Sequence, residues 1–407
     1  MRSNLLAISI SLGLSLSASP TLAKTLRVPA EYPAIQTAID AAQTGDLVLV
    51  APGEYNEVLN LKPWVAVRSE GTEREHLDHT AAKRTIIDSK GILKPVVEGA
   101  DGAVLDGFTV TGLGKVNHHL PGHPHGIQCR GTSPIIINNI VHSMGSTGIG
   151  SHMEKDRVAA PYIANNIVHH NQGLGIGSNH ESAATIVNNI VYANTEVGIG
   201  IRNGAHPLVE GNIIYSNGWA GIGVRHGGFP SIRGNKVYNS GARKTAAYGA
   251  GIGVSETFVP IIEENEVFSN YLGGIGLRKG ATAIIRNNKT YNNRYAGIGL
   301  DGAVAVLIEN NQIYRNERGG IGITNQSSAV IRHNKIFDNH NAGIAPTDKQ
   351  QIISEGNILY NNGEPYSAAP PDMTTLERDY PRDETGGIDS PLGLPDPSFF
   401  EWTKGRR

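Results

Sequence analysis

The sequence predicts an all-β solenoid, a chain wound into stacked coils that share one apolar interior. Three observations predict it. A Gly-Ile-Gly triplet opens at Gly148, Gly175, Gly198, Gly221, Gly251, Gly274, Gly297 and Gly320, at intervals of 27, 23, 23, 30, 23, 23 and 23 residues. A fixed period of this length marks an architecture in which each repeat buries its apolar face against its neighbours. An asparagine recurs in the same frame, at Asn139, Asn166, Asn189, Asn212, Asn235, Asn265, Asn288, Asn311, Asn334 and Asn357, and a second follows most of them five residues later. Two residues before the first asparagine the charge changes sign from coil to coil, through Glu210, Arg233, Glu263, Arg286, Glu309, Arg332 and Glu355. Stacking sets these opposite charges side by side, so the column reads as structural.

Residues 1–23 read as a secretory signal, with Arg2, an apolar run from Leu5 to Leu16 and a cleavage site at Thr21-Leu22-Ala23. The stretch 32–46, YPAIQTAIDAAQTGD, then sets Ile35, Ala38, Ile39 and Ala42 on one helical face and stops at Gly45. A short helix here covers the open end of a solenoid. Strands begin with DLVLVAPGEYNEV, and coils fill residues 24–363. Each coil carries three β-branched runs too short for helices. Apolar pairs such as Ile261-Ile262 precede the asparagine. A run ending in His169, Tyr192, Tyr215, Tyr238, Phe268, Tyr291, Tyr314 or Phe337 follows it, and the triplet completes the coil. At a strand spacing of roughly 4.8 Å the rings stack. The asparagines, tolerant of left-handed turns, line up as amide ladders. Residues 364–407 form a Pro-rich C-terminal tail, either loose or strapped back onto the coils.

The net charge of −2 over 407 residues argues against nucleic acid or a membrane surface as a general partner. Beyond the signal, no stretch is long and apolar enough to span a bilayer. Cys129 is the only cysteine, so no internal disulfide forms. These features lead us to expect a protein exported to the periplasm or the cell exterior.

The repeat resembles the right-handed parallel β-helix superfamily, with the repeats shared by carbohydrate-binding proteins and sugar hydrolases. The opening IQTAIDAA and GEYNE also resembles the start of pectin methylesterases, whose first motif is matched by Gly53, Tyr55 and Glu57. The later motifs that hold that family's paired aspartates are not found, so esterase activity is not expected. The accessory β-helix proteins of nitrous-oxide reductase maturation, exported and associated with copper, are similar in repeat style.

Alternation along Val197-Gly198-Ile199-Gly200-Ile201 points the isoleucines inward and predicts that both glycines of a triplet face out, a side-chain-free floor along the solenoid. Gly221 and Gly223 belong to it. Two residues after the triplets, one rim carries Arg202, Arg225, Arg278 and Asp301, with His226 beside them; the other carries Trp219 and Tyr295, with Tyr271 adjacent. Guanidinium pairs with carboxylate and aromatic faces stack on sugar rings, so the expected partner is an acidic polysaccharide. Turnover, if the protein is an enzyme, is of the lyase or uronate-epimerase type, with arginine at the carboxylate and His or Lys taking the α-proton.

One insertion, NHHLPGHPHG, gathers His118, His119, His123 and His125, with His142, Met144, His152 and Met153 on the next coil. Imidazole with thioether suits copper and imidazole alone suits zinc or copper; calcium is the remaining candidate cofactor. A periplasmic metal-handling accessory protein is therefore the alternative reading. A structural surface protein is the third. Oligomeric state is left open.

Overall fold

The computed structural model describes residues 23–72, 79–112, 125–241, 249–346 and 351–363. The tail 364–407, nearly all of the signal segment, and His118, His119 and His123 lie outside the described residues.

A complete coil contributes one strand to each of three parallel sheets, which among the described residues hold 14, 12 and 13 strands, the end coils being incomplete. The first sheet takes the apolar pairs and the charge column, the second (the glycine sheet) the triplets, and the third the aromatic column. Pairing steps from one coil to the next without slippage. Glu210 lies opposite Arg233, Arg233 opposite Glu263, and Glu263 opposite Arg286. The alternation closes into ion pairs: Arg233 to Glu210 at 2.8 Å, Arg286 to Glu263 at 2.7 Å and Arg332 to Glu309 at 2.7 Å.

Inside, one isoleucine or valine per strand forms each inward column, as in Ile186, Val209 and Ile232, or Ile199, Ile222 and Ile252, all fully buried. These continuous apolar columns give the solenoid its core. At the corner between the first and third sheets the asparagines form the expected ladder. Asn189 donates its backbone N–H and Nδ2 to Asn212 Oδ1 at 2.9 and 3.0 Å, and Asn212 repeats this towards Asn235. The second ladder is interrupted at Ser240, whose hydroxyl accepts from Asn217 N at 3.4 Å. In one respect the structure corrects the sequence reading: the left-handed residue is the one before each ladder asparagine (Asn165, Asn188, Asn287), while the ladder side chain is spent on the neighbouring coil. On the outside of the third sheet, rings stack from His142 through Tyr192, Phe268 and Phe337 to Tyr360, with neighbouring centroids 4.9–5.1 Å apart.

Helix α1 (Ile35–Ala41) buries Ile35, Ala38 and Ile39 over the N-terminal end. It is shorter than the expected 32–46 stretch because Ala42 already has extended backbone. Glu57 accepts the N–H groups of Ile35 and Gln36, both at 2.9 Å, satisfying donors that a first helical turn leaves open. The methylesterase-like glutamate thus anchors the helix cap. A second helix, α2 (Thr80–Arg84), was not foreseen; its Ala82 joins the apolar cluster formed by Ile140, Ile167 and Ile190 of the third sheet.

Candidate functional site

The two glycines of a triplet have different surroundings. Gly198 and Gly221 lie inside the strands Val197–Arg202 and Ala220–Arg225, but alternation holds only from the isoleucine onward. A Cβ on Gly198 would stand 2.7 Å from Asn217 Nδ2, Gly221 O and Ile214 Cγ2. On Gly221 it would meet Val237 Cγ1 at 2.2 Å. The first glycine therefore faces the interior, where the coils approach too closely for any side chain. Gly221 is not part of the floor, contrary to the sequence reading. The second glycine does face out: a Cβ on Gly299 meets nothing within 4 Å, and one on Gly322 meets only Ala296 at 3.5 Å.

The floor is also shorter than eight coils. Upstream, the Leu174 side chain reaches over the glycine row, 3.2 Å from a Cβ on Gly177 and 2.8 Å from one on Gly200. Leu174, Val197 and Ala220 form an apolar cluster on the outer face, and Trp219 packs against it. Downstream of that plug lies a groove of about 1020 Å³, floored by Gly223, Gly253, Gly276, Gly299 and Gly322. One edge is a register-aligned row: Arg225, Ser255, Arg278, Asp301, Thr324. Leu272, Tyr295 and Arg318 form the other, with the Arg318 guanidinium 4.7 Å from the Tyr295 ring centroid.

Of the residues proposed from sequence, the structure brings Gly223, Arg225, Arg278, Tyr295 and Asp301 into this groove. Arg278 Nε approaches Asp301 Oδ2 to 4.0 Å, and Asp301 also accepts from Thr324 and Asn325. Arg202 pairs in register with Arg225 but does not line the groove. Burial, reinforced by Arg225 and opposed by Glu196, pulls its guanidinium below the ordinary arginine value. Trp219 belongs to the plug, and half-buried Tyr271 lies off the groove beside Leu272. His226 is exposed on the adjoining turn, 2.9 Å from Glu256, whose other oxygen lies 3.6 Å from Lys279. Arg318, Ser255 and Thr324 also line the groove and are not among the residues proposed from sequence.

The histidines divide. His142 and His169 are ring-stack members, and burial lowers the basicity of both. Met144 is fully buried in the core, so it cannot partner His142 as a thioether ligand on the surface. Cys129 is buried, and burial raises its thiol above the ordinary range. His125 is the one member of the histidine insertion among the described residues. Burial, with His152 and Arg130 nearby, pushes its imidazole down to about 4. Among the described residues no three His, Cys, Asp or Glu side chains are grouped to hold a metal ion.

The profile of the family described as "Right handed beta helix region" matches residues 125–270 and 220–369, more than half of the chain. The chain belongs to the right-handed β-helix family. A search of curated protein sequences returned no match. Among solved structures, this β-helix is similar to the catalytic unit of a thermostable GH87 α-1,3-glucanase from Streptomyces thermodiastaticus, with 14% identity and TM-score 0.61, over 82% of this chain and 66% of that one. A periplasmic alginate epimerase, AlgG, is similar over 83% of both chains, with 14% identity and TM-score 0.54. The A-module of a mannuronan C-5 epimerase from Azotobacter vinelandii shares 19% identity over 80% of this chain and 94% of that one, with TM-score 0.49. At these identities the likeness is one of fold. No helix among the described residues is long and apolar enough to cross a membrane.

Proposed function

We propose that this β-helix protein is exported and binds an acidic polysaccharide in the glycine-floored groove. One observation carries the reading: a bare floor of five coils with Arg225 and Arg278 along one edge and Tyr295 and Arg318 along the other. Backbone without side chains admits a flat ligand closely, guanidinium recognises carboxylate, and the tyrosine face offers a stacking surface. The glucanase and the alginate epimerase of similar fold are named for polysaccharide chemistry, which supports a carbohydrate ligand.

Binding is better supported than turnover. A uronate lyase or epimerase needs a base at the α-proton and a cation at the carboxylate. The cations are in the groove, but His226, Glu256 and Lys279 sit outside its lining and are engaged with one another. Calorimetry with oligouronates tests the reading. Wild type should bind, more weakly as salt rises, and Arg225→Ala with Arg278→Ala should weaken binding tenfold or more, about 1.4 kcal/mol. Absence of binding by any acidic glycan would end it. Incubation with polyuronate, followed by ultraviolet absorbance of the unsaturated product and by proton exchange at the sugar α-carbon, decides whether chemistry accompanies binding.

Metal handling, the second reading, keeps one specific support: His125 is neutral, the state a metal ligand requires. Copper or zinc uptake by the whole chain, lost when His118, His119, His123 and His125 are changed to alanine, would favour it. Uptake retained in that variant would remove it.

A further inference from the structure

The residue before each Gly-Ile-Gly triplet leans over the outward glycine of the next coil. Val197 Cγ1 lies 3.3 Å from a Cβ on Gly223, Ala250 Cβ 3.3 Å from one on Gly276, and Ala296 Cβ 3.5 Å from one on Gly322. Where that residue is Gly273, a Cβ on the next outward glycine, Gly299, meets nothing within 4 Å. Its size therefore sets the height of the floor. The row is bulky at Leu174 and Val197 and small from Ala220 onward. We propose that this step makes the groove blind at its upstream end, so that it receives one terminus of an acidic polysaccharide and not a stretch of mid-chain. The proposal rests on the polysaccharide reading of the groove and adds which part of the polymer is bound.

The plug is more than a raised step. Leu174, Val197 and Ala220 are only 7%, 3% and 2% exposed although they stand on the outer face. Burial there requires a covering layer, and Trp219 packs against all three as a cluster. Behind the plug the row offers a ligand no second bare stretch. Leu174 occupies the space over Gly200 and, with Thr147 Cγ2 at 3.4 Å from a Cβ, that over Gly177; Gln128 Oε1 lies 3.1 Å from a Cβ on Gly150. In the other direction the floor continues in register from Gly299 through Gly322 to Ala345, on the last strand of the glycine sheet among the described residues.

A glycan laid along this floor abuts the plug with its last ring. To pass beyond, a longer chain would have to leave the surface at Gly223 and give up every contact upstream. From Gly223 to Gly322 is a run of four coil steps, roughly 19 Å, enough for about four sugar rings. Arg225 stands on the coil next to the plug, so it meets the carboxylate of the terminal ring. Arg278 lies two coils on, roughly 10 Å at strand spacing, about the length of a disaccharide, and meets a carboxylate farther along the same chain.

The test uses the whole chain with polyuronate fractions of defined length and with tetrauronates blocked at one terminus, by 2-aminobenzamide at the reducing end or by a 4-O-benzyl group at the non-reducing end. Sedimentation at saturating protein should give one protein per polymer chain whatever its length. One of the two blocking groups should weaken binding at least tenfold in calorimetry and the other should not, which tells the two termini apart. Leu174→Ala with Trp219→Ala lowers the plug over Gly200 and should restore binding of the blocked tetrauronate. Ala250→Leu extends the bulky row over Gly276 and covers the case in which the first variant fails to fold; it should weaken binding of the unblocked tetrauronate at least tenfold. If the number of bound proteins grows in proportion to polymer length, or if both blocked tetrauronates bind like the unblocked one, the blind end is refuted while the polysaccharide reading stands. If no uronate oligomer or polymer binds, both readings fall together.

Discussion

Gly297 and Gly299 stand two residues apart in one strand, and the structure assigns them opposite tolerances. A Cβ on Gly297 would lie 2.5 Å from Ile313 Cγ2 and 2.7 Å from both Asn316 Nδ2 and Thr290 Oγ1. All three neighbours are fully buried. Asn316 is also tied to Asn293 and Asn339 by ladder bonds of 3.0 Å, so it cannot move alone. Overpacking a filled core costs about 1–3 kcal/mol, and Gly297→Ala belongs at the upper end of that range. At Gly299 the methyl enters open groove. There Gly299→Ala removes freedom from the unfolded chain and should stabilise by about 0.4–1 kcal/mol. Urea unfolding followed by tyrosine fluorescence, with m-values compared between variants, should show midpoints moving in opposite directions. Gly299→Phe extends the argument to function: it should keep the fold and weaken oligouronate binding at least tenfold. Equal destabilisation by the two alanines would refute the assignment of inward and outward glycines. A stable Gly299→Phe that binds as well as wild type would show that the floor is not the binding surface.

Three further outcomes are expected. Thr290 is fully buried between Val267 and Ile313, and its hydroxyl has no partner among the described residues. Thr290→Val should therefore raise stability by on the order of 1–2 kcal/mol, and an unchanged melting temperature would show that the hydroxyl is satisfied. Exchanging Arg286→Glu with Glu309→Arg sets like charges beside Glu263 and Arg332; the melting temperature should fall at low salt, recover partly at high salt, and leave ligand binding alone. Acidification should destabilise the fold, because His125, His142, His152 and His169 have folded-state basicity below the unfolded value of about 6.5. The unfolded chain binds more protons below that pH, so stability falls from about pH 7 towards pH 4. With its value at about 4, His125 alone should account for roughly 3 kcal/mol at the lower limit. His125→Phe should flatten the slope, and an unaltered slope would mean that this imidazole is solvated in the folded state.

The scaffold was legible because every structural column repeats one residue type at one position, so the charge alternation and the asparagines fix the register. The position of the asparagine ladder was readable, but its division of labour was not. A repeated asparagine can supply either a left-handed backbone or an amide donor, and the sequence does not say that the preceding residue takes the first task. Alternation failed at the triplet for a related reason. Period two holds only from the isoleucine onward, and Gly221 stands just before it in the same strand, Ala220–Arg225. The extent of the groove was hidden as well. Whether eight outward glycines form one continuous trough depends on how far a neighbouring side chain bends, and Leu174 bends over two of them. The sequence did, however, mark where the glycine row departs from its pattern upstream. In Gly126-Ile127-Gln128 the outward glycine position is occupied by glutamine, in register with Gly150. In a solenoid the recurring residues build the coil. A residue that breaks an otherwise uniform outward row, as Gln128 does by lying over Gly150, shortens the bare floor from its upstream end just as Leu174 does farther along.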